Sequence, residues 1–316
     1  MLLTNINDWS SQRDGDNHEK KMLARKEVGF FKKNVRPNEL PGWTSSYKGK
    51  TMLPLDSEKW GELTGTYGRT GAHLMIKEFV DFLDTDPGET EITEKFSEFG
   101  HKIYDELSHQ QNTWTGTTAA MPHLLAIAKR LPSDCRCTLW ADLGLMNIDI
   151  AGYIDDDQLV SWYDAAIEQA AVDSVAFAKN RTLSDESQFH LYWAIANFRY
   201  EEYLHYAFRA HEYMTQFECV HCESEFEAEL IEQGEVFAFV NSDKLLSEQK
   251  TCRIVPCSDI LKASRREGQR HFSLIASIAV ENNHQAIVGW LAKRLGDFQC
   301  PVCEKDSWAV EYGARD

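Results

Sequence analysis

Between Leu55 and about Gln216, apolar residues recur three or four positions apart, the spacing that places side chains on one face of an α-helix. Trp60, Leu63 and Tyr67 predict a short first helix ended at Gly68; Leu74, Ile76, Phe79, Val80 and Leu83 predict a second that stops near Pro87-Gly88. Phe96, Phe99, Ile103, Tyr104 and Leu107 give a third helix its buried face, and the polar run Ser108-His109-Gln110-Gln111-Asn112 breaks it before the next, Ala119 to Arg130. Pro122 falls inside that helix, where its missing amide leaves a carbonyl unpaired and predicts a kink. Leu131-Pro132-Ser133-Asp134 reads as a turn with an N-cap. Two long helices follow, roughly Asp156 to Lys179 and Ser184 to Gln216. The second carries an aromatic stripe including Phe189, Tyr192, Trp193 and Phe208, which predicts packing between helices.

Beyond Gln216 the period changes. Alternation over Phe226 to Leu230 and Val236 to Val240, with Gly234 between them, predicts a β-hairpin. The segment Ile260 to Glu267 follows, then helical spacing returns over Phe272 to Glu281 and Gln285 to Leu295; Gly296 reads as a cap, and Trp308, Val310 and Tyr312 as a final strand. The chain thus divides into a basic polar arm and linker over 1–50, a helical region over 51–216 and a helix-and-hairpin module over 217–316.

With 316 residues, 43% of them hydrophobic, the chain has material for a sizeable core. No apolar run approaches the roughly 20 residues that span a bilayer. The N-terminal residues show no basic start, apolar stretch and cleavage site, so the expectation is a cytoplasmic protein with reduced thiols. Net charge is -17 and uneven: residues 1–50 hold 10 Lys+Arg against 6 Asp+Glu, leaving 23 against 44 in the rest. A body this acidic repels nucleic-acid phosphates and membrane surfaces and attracts a basic protein partner.

The sharpest chemical signal is a pair of pairs. Cys219-Val220-His221-Cys222 and Cys300-Pro301-Val302-Cys303 each have the two-residue spacing that lets both thiolates reach one ion. Together, Cys219, Cys222, Cys300 and Cys303 predict a structural Zn2+ site, whose closed shell leaves no place for substrate. The ion would close a loop of about 77 intervening residues. Glu223 and Glu304 stand where such knuckles commonly have glycine. Cys135 and Cys137 are expected as core thiols in a helix; Cys252 and Cys257, flanking a short extended run, are the reserve ligands. His221 is expected to be exposed rather than metal-bound.

Trp60, Leu63 and Tyr67-Gly68, then Leu107-Ser108-His109-Gln110, then Thr117-Thr118-Ala119-Ala120-Met121-Pro122-His123-Leu124-Leu125, then the two cysteine pairs, form an ordered set of patches. In this set the chain resembles a group of uncharacterised bacterial proteins with HEAT-like helical repeats and paired cysteines near the C-terminus. The resemblance implies a mainly α fold: a HEAT-like repeat array followed by a small α+β zinc-ribbon-like module. It carries no activity. With the acidic charge, it leads to the expectation of a non-enzymatic interaction scaffold, in one version an immunity protein that neutralises a basic toxin.

The alternative is a metal-dependent enzyme. Glu106/His109 and Glu202/His205 are Glu-x-x-His pairs of the kind that di-iron bundles project inward from two helices. A third reading, nucleic-acid binding through the basic arm and the ribbon, meets a run of glutamates around the first knuckle, from Glu218 to Glu235.

Overall fold

The computed structural model describes residues 52–109, 112–148, 156–179, 181–199, 201–209, 215–230, 236–239 and 251–311. The expected arm over 1–50 lies outside them, as do Gln110, Gln111, Gly234, Val240 and Tyr312.

The chain enters through a 3-10 turn, Glu58–Glu62, capped by the Ser57 hydroxyl. A two-residue hairpin follows, β1 (Thr64–Gly65) and β2 (Gly68–Arg69). This corrects the single helix expected through Tyr67: Trp60 is buried at 1% exposure, whereas Tyr67 sits at the hairpin tip, 80% exposed. The cause lies in backbone geometry. Gly68 takes φ +122°, open to glycine, and the Thr66 amide donates to the Glu106 carbonyl across the chain.

Helices α1 (Ala72–Leu83) and α2 (Glu89–Leu107) follow as expected. The polar break forms a small ladder, β3 (Ser108–His109) against β4 (Asn112–Thr113). Helix α3 (Thr115–Ala128) starts four residues before its predicted first residue and includes Pro122. There the Thr117 hydroxyl donates to the Leu107 carbonyl, tying the start of α3 to the end of α2. Helix α4 (Ser133–Ile148) carries Cys135 and Cys137, both buried in the core. Helix α5 (Asp157–Ala178) lies within one residue of its predicted bounds, with Asp156 accepting two N-terminal amides.

The predicted helix Ser184 to Gln216 is instead three elements: α6 (Asp185–Phe198), α7 (Glu202–Arg209) and the start of strand β5 (Thr215–Cys219). No Pro or Gly marks the first break. It is held by tertiary contacts: Asn147 of α4 donates to the Asn197 carbonyl, satisfying a helix-terminal acceptor, and the Asn197 side chain meets His205 of α7 at 3.0 Å. The aromatic stripe packs as predicted, Phe189 and Phe208 against Trp290.

Strands β6 (Glu225–Leu230), β7 (Val236–Phe239) and β8 (Thr251–Ile254) come next, then α8 (Ile260–Ala263), α9 (Ser273–Glu281), α10 (Gln285–Arg294), β9 (Asp297–Gln299) and β10 (Asp306–Glu311). The strands form one antiparallel sheet in the order β8-β7-β6-β5-β10-β9. Its two edge strands come together again at a bridge between Val255 and Asp297. Gly296, expected as a helix cap, is required for close approach: a Cβ there would lie 2.6 Å from the Val255 carbonyl oxygen.

Packing follows a regular scheme. Helix α1 packs on α2, α3 on α4, and α5 on α6; α1 also meets α3, α3 meets α5, α2 meets α4, and α4 meets α6. Helix α10 packs on α6, and its apolar residues join those of α3 to α6 in one core. The sheet has a separate small core of Phe217, Phe226, Ala228, Ile254 and Phe298 with Cys219 and Cys300. Arg294, 2% exposed, lies between the two, its guanidinium 5.4 Å from the ring centres of Phe217 and Trp290. Among the described residues no helix is long and apolar enough to cross a membrane.

Candidate metal centre

Topology brings the four predicted ligands together. Strands β5 and β10 are antiparallel neighbours, with Cys219 opposite Ala309. The C-terminal end of β5 therefore lies at the same edge as the N-terminal start of β10. The first knuckle leaves β5 at that edge and the second enters β10 there, so two cysteine pairs distant in sequence face each other.

Both knuckles have one backbone design. Cys219 N–H donates to the Ser224 carbonyl and Glu223 N–H to the Cys219 carbonyl, each at 2.9 Å; Cys300 donates to Lys305 at 2.9 Å and Glu304 to Cys300 at 2.8 Å. Glu223 and Glu304 take φ 59° and 60°, the left-handed region. The missing glycines do not change the turn; they add strain of about 1–2 kcal/mol at each site, which the rest of the knuckle must offset.

The four Sγ atoms all lie within 4.8 Å of one another, with Cys219 3.9 Å from Cys303 and Cys222 3.7 Å from Cys300. A tetrahedral ion with metal–sulfur bonds of about 2.3 Å has sulfur–sulfur edges of about 3.8 Å. The donor set and its dimensions fit one four-coordinate ion.

The sulfurs are not equivalent. Cys219 and Cys300 are buried and Cys222 and Cys303 half-buried. Burial raises the Cys219 thiol and pushes Cys300 up to about 12. Burial acts upward at Cys222 too, but its hydrogen bonds with the Ser224 hydroxyl, at 3.2 Å, and amide, and with the Cys219 and Cys300 sulfurs, bring it down to about 7. Ser224 was not singled out in the sequence; its place two residues after a Cys-x-x-Cys pair is the signal that points to it. The His221 amide lies 3.5 Å from Cys219 Sγ, while its exposed ring reaches the Asp306 carbonyl at 3.2 Å, away from the sulfurs as expected.

The other candidates go elsewhere. Cys252, on β8, packs against the small core, and burial raises its thiol to about 11; Cys257 packs against the helical core. Neither joins the four. Glu106 accepts from the Thr70 hydroxyl at 2.9 Å and the Gly71 amide at 2.7 Å, serving the start of α1. His205, buried, sits in the network with Asn197 and Trp193. The side chains of His109 and Glu202 lie outside those described. Among the described residues, the four cysteines are the group of His, Cys, Asp or Glu whose donor atoms converge in a way that could hold an ion. No protein-family model, curated protein or solved structure matches this chain.

Proposed function

We propose that this chain is a non-enzymatic interaction scaffold: a HEAT-like array of helix pairs whose C-terminal ribbon is held by structural zinc, with an acidic surface that receives a basic protein. The observation that carries the reading is the closed four-thiolate centre. Four sulfurs at tetrahedral separation saturate an ion and leave no open coordination position.

The array is supported by the packing scheme. The hairpins α1/α2, α3/α4 and α5/α6 stack so that alternate helices form two layers, the arrangement expected of helical repeats, and α9/α10 extends the row. Zinc is preferred to iron because the knuckles have a structural place, clamping the sheet, though the same sulfur geometry suits either ion. The acid excess outside residues 1–50, 44 Asp+Glu against 23 Lys+Arg, supports a cationic polypeptide as the partner, and a basic toxin held by an immunity protein is one form of that pairing.

Two measurements test the reading. Elemental analysis of protein purified without added metal should find about one zinc per chain; iron or manganese in its place would turn the search toward redox chemistry. Affinity purification from the native host at low salt should yield a basic protein whose retention falls steeply as salt rises. Recovery of no basic partner would remove the scaffold's proposed role while leaving the metal centre standing.

A further inference from the structure

Two of the cross-knuckle contacts share a feature: each joins one buried sulfur to one half-exposed sulfur, whereas a third, Cys219 with Cys300, joins the two buried ones. Cys219, 0% exposed, meets the half-exposed Cys303 at 3.9 Å; Cys300, 1% exposed, meets the half-exposed Cys222 at 3.7 Å. An accessible thiolate beside a sheltered second one is the arrangement in which an oxidant attacks the first sulfur and the second resolves the product. Here it occurs twice in one centre.

We propose that the centre is a peroxide-responsive staple, in which oxidation exchanges the metal for two cross-knuckle disulfides, Cys219–Cys303 and Cys222–Cys300. The proposal rests on the metal-centre reading above for the ion it releases, while the disulfide pairing rests on the two contacts that set an accessible sulfur beside a buried one. The outer thiolate of each pair, Cys303 or Cys222, attacks the peroxide O–O bond, becomes a sulfenic acid and releases hydroxide. The inner thiolate, Cys219 or Cys300, then attacks that sulfur, forming the S–S bond and expelling a second hydroxide. For a zinc tetrathiolate dianion the balance is two hydrogen peroxide consumed, two disulfides, one Zn2+ and four hydroxides formed. Four sulfurs give up one electron each, and the two peroxides take up all four.

The pairing has a structural consequence. Disulfides within each knuckle would tie Cys219 to Cys222 and Cys300 to Cys303, leaving the two hairpins joined only by the β5–β10 backbone ladder. Cross-knuckle bonds span 84 and 78 positions and keep β5 joined to the β9/β10 hairpin after the ion has left. Oxidation therefore replaces one clamp by another rather than opening the sheet. Cys252, on β8, is not among the four convergent donors and keeps its free thiol.

The test uses the full chain as purified. Hydrogen peroxide is added in steps up to two equivalents, released zinc is read with a colorimetric chelator, free thiols are counted, and disulfides are mapped by mass spectrometry of non-reduced peptides. The expected result is one zinc released as four thiols disappear, with 219–303 and 222–300 as the dominant links, reversed by dithiothreitol with added zinc. In Cys222→Ser only the 219–303 link should form, and in Cys303→Ser only the 222–300 link. Within-knuckle disulfides, higher oxidation without disulfides, or full retention of zinc and thiols at excess peroxide would overturn the proposal. Protein that contains no metal as purified yet forms both cross-knuckle links would uphold the pairing and overturn the zinc reading.

Discussion

The helical core buries Trp60, Trp140, Tyr192, Phe79 and Phe208 almost completely, drawing on helices from α1 to α10. The sheet core consists of three phenylalanines, an alanine, an isoleucine and two of the four convergent cysteines. The first is much the larger, with residues contributed by α1 to α10. The second is of a size at which small folds need a metal, a disulfide or a partner. The comparison teaches where a four-sulfur centre belongs: in the part of the molecule that buries too little to hold itself, at the join between strands far apart in sequence.

The largest expected effect separates the two regions outright. Removing the clamp with Cys300→Ser and Cys303→Ser should strip exchange protection from the amides of β5, β6, β9 and β10 while those of α3 to α6 keep theirs, since the zinc proposed for the centre would supply on the order of 10 kcal/mol of folding free energy. Equal loss in both regions would show that they are one cooperative unit. Next is the bridge between the cores. Arg294→Met removes the guanidinium from between Phe217 and Trp290 and should cost about 2 kcal/mol or more, seen as a lower denaturant midpoint with the sheet losing protection first.

A pH test reaches the same junction. Burial, and secondarily the charge of Arg294, lowers His271 from 6.5 to about 4. The unfolded chain then takes up this proton before the folded one does. Stability from this group is complete above pH 6.5 and falls as pH drops toward 4, a slope that His271→Gln should flatten in urea titrations. The smallest effect has the opposite sign. Glu223→Gly and Glu304→Gly relieve left-handed strain and should each stabilise the metal-loaded protein by about 0.5–1 kcal/mol in thermal melts. A loss at either position would mean that the glutamate side chain contributes more than its backbone costs.

Elements governed by local rules were legible in the sequence. Helix α5 matched because Asp156 caps it and its apolar period is uninterrupted, and the two knuckles were plain because ligand spacing is a local property. What could not be read is set by distant partners. The break at Arg199 depends on Asn147, fifty positions before Asn197, and no residue type at the break announces it. Tyr67 lies at a helical position for Trp60, yet the hairpin carrying it is held by the Glu106 carbonyl. The meeting of Val255 with Asp297 depends on the fit of Gly296, which by sequence alone resembles an ordinary helix end.

The separation of the knuckles also sets a clock on synthesis. Cys222 leaves the ribosome 78 residues ahead of Cys300, a delay of roughly 4–16 s at 5–20 residues per second. Through that interval the nascent chain carries half a site, two thiols able to take a stray ion or an oxidant, with no opposing pair. The helices translated meanwhile, α8 to α10, dock on the helical core and place the second knuckle beside the first. A codon or chaperone change that slows this stretch should lengthen the exposure of the half-site and lower the yield of correctly loaded protein, even with the sequence unaltered.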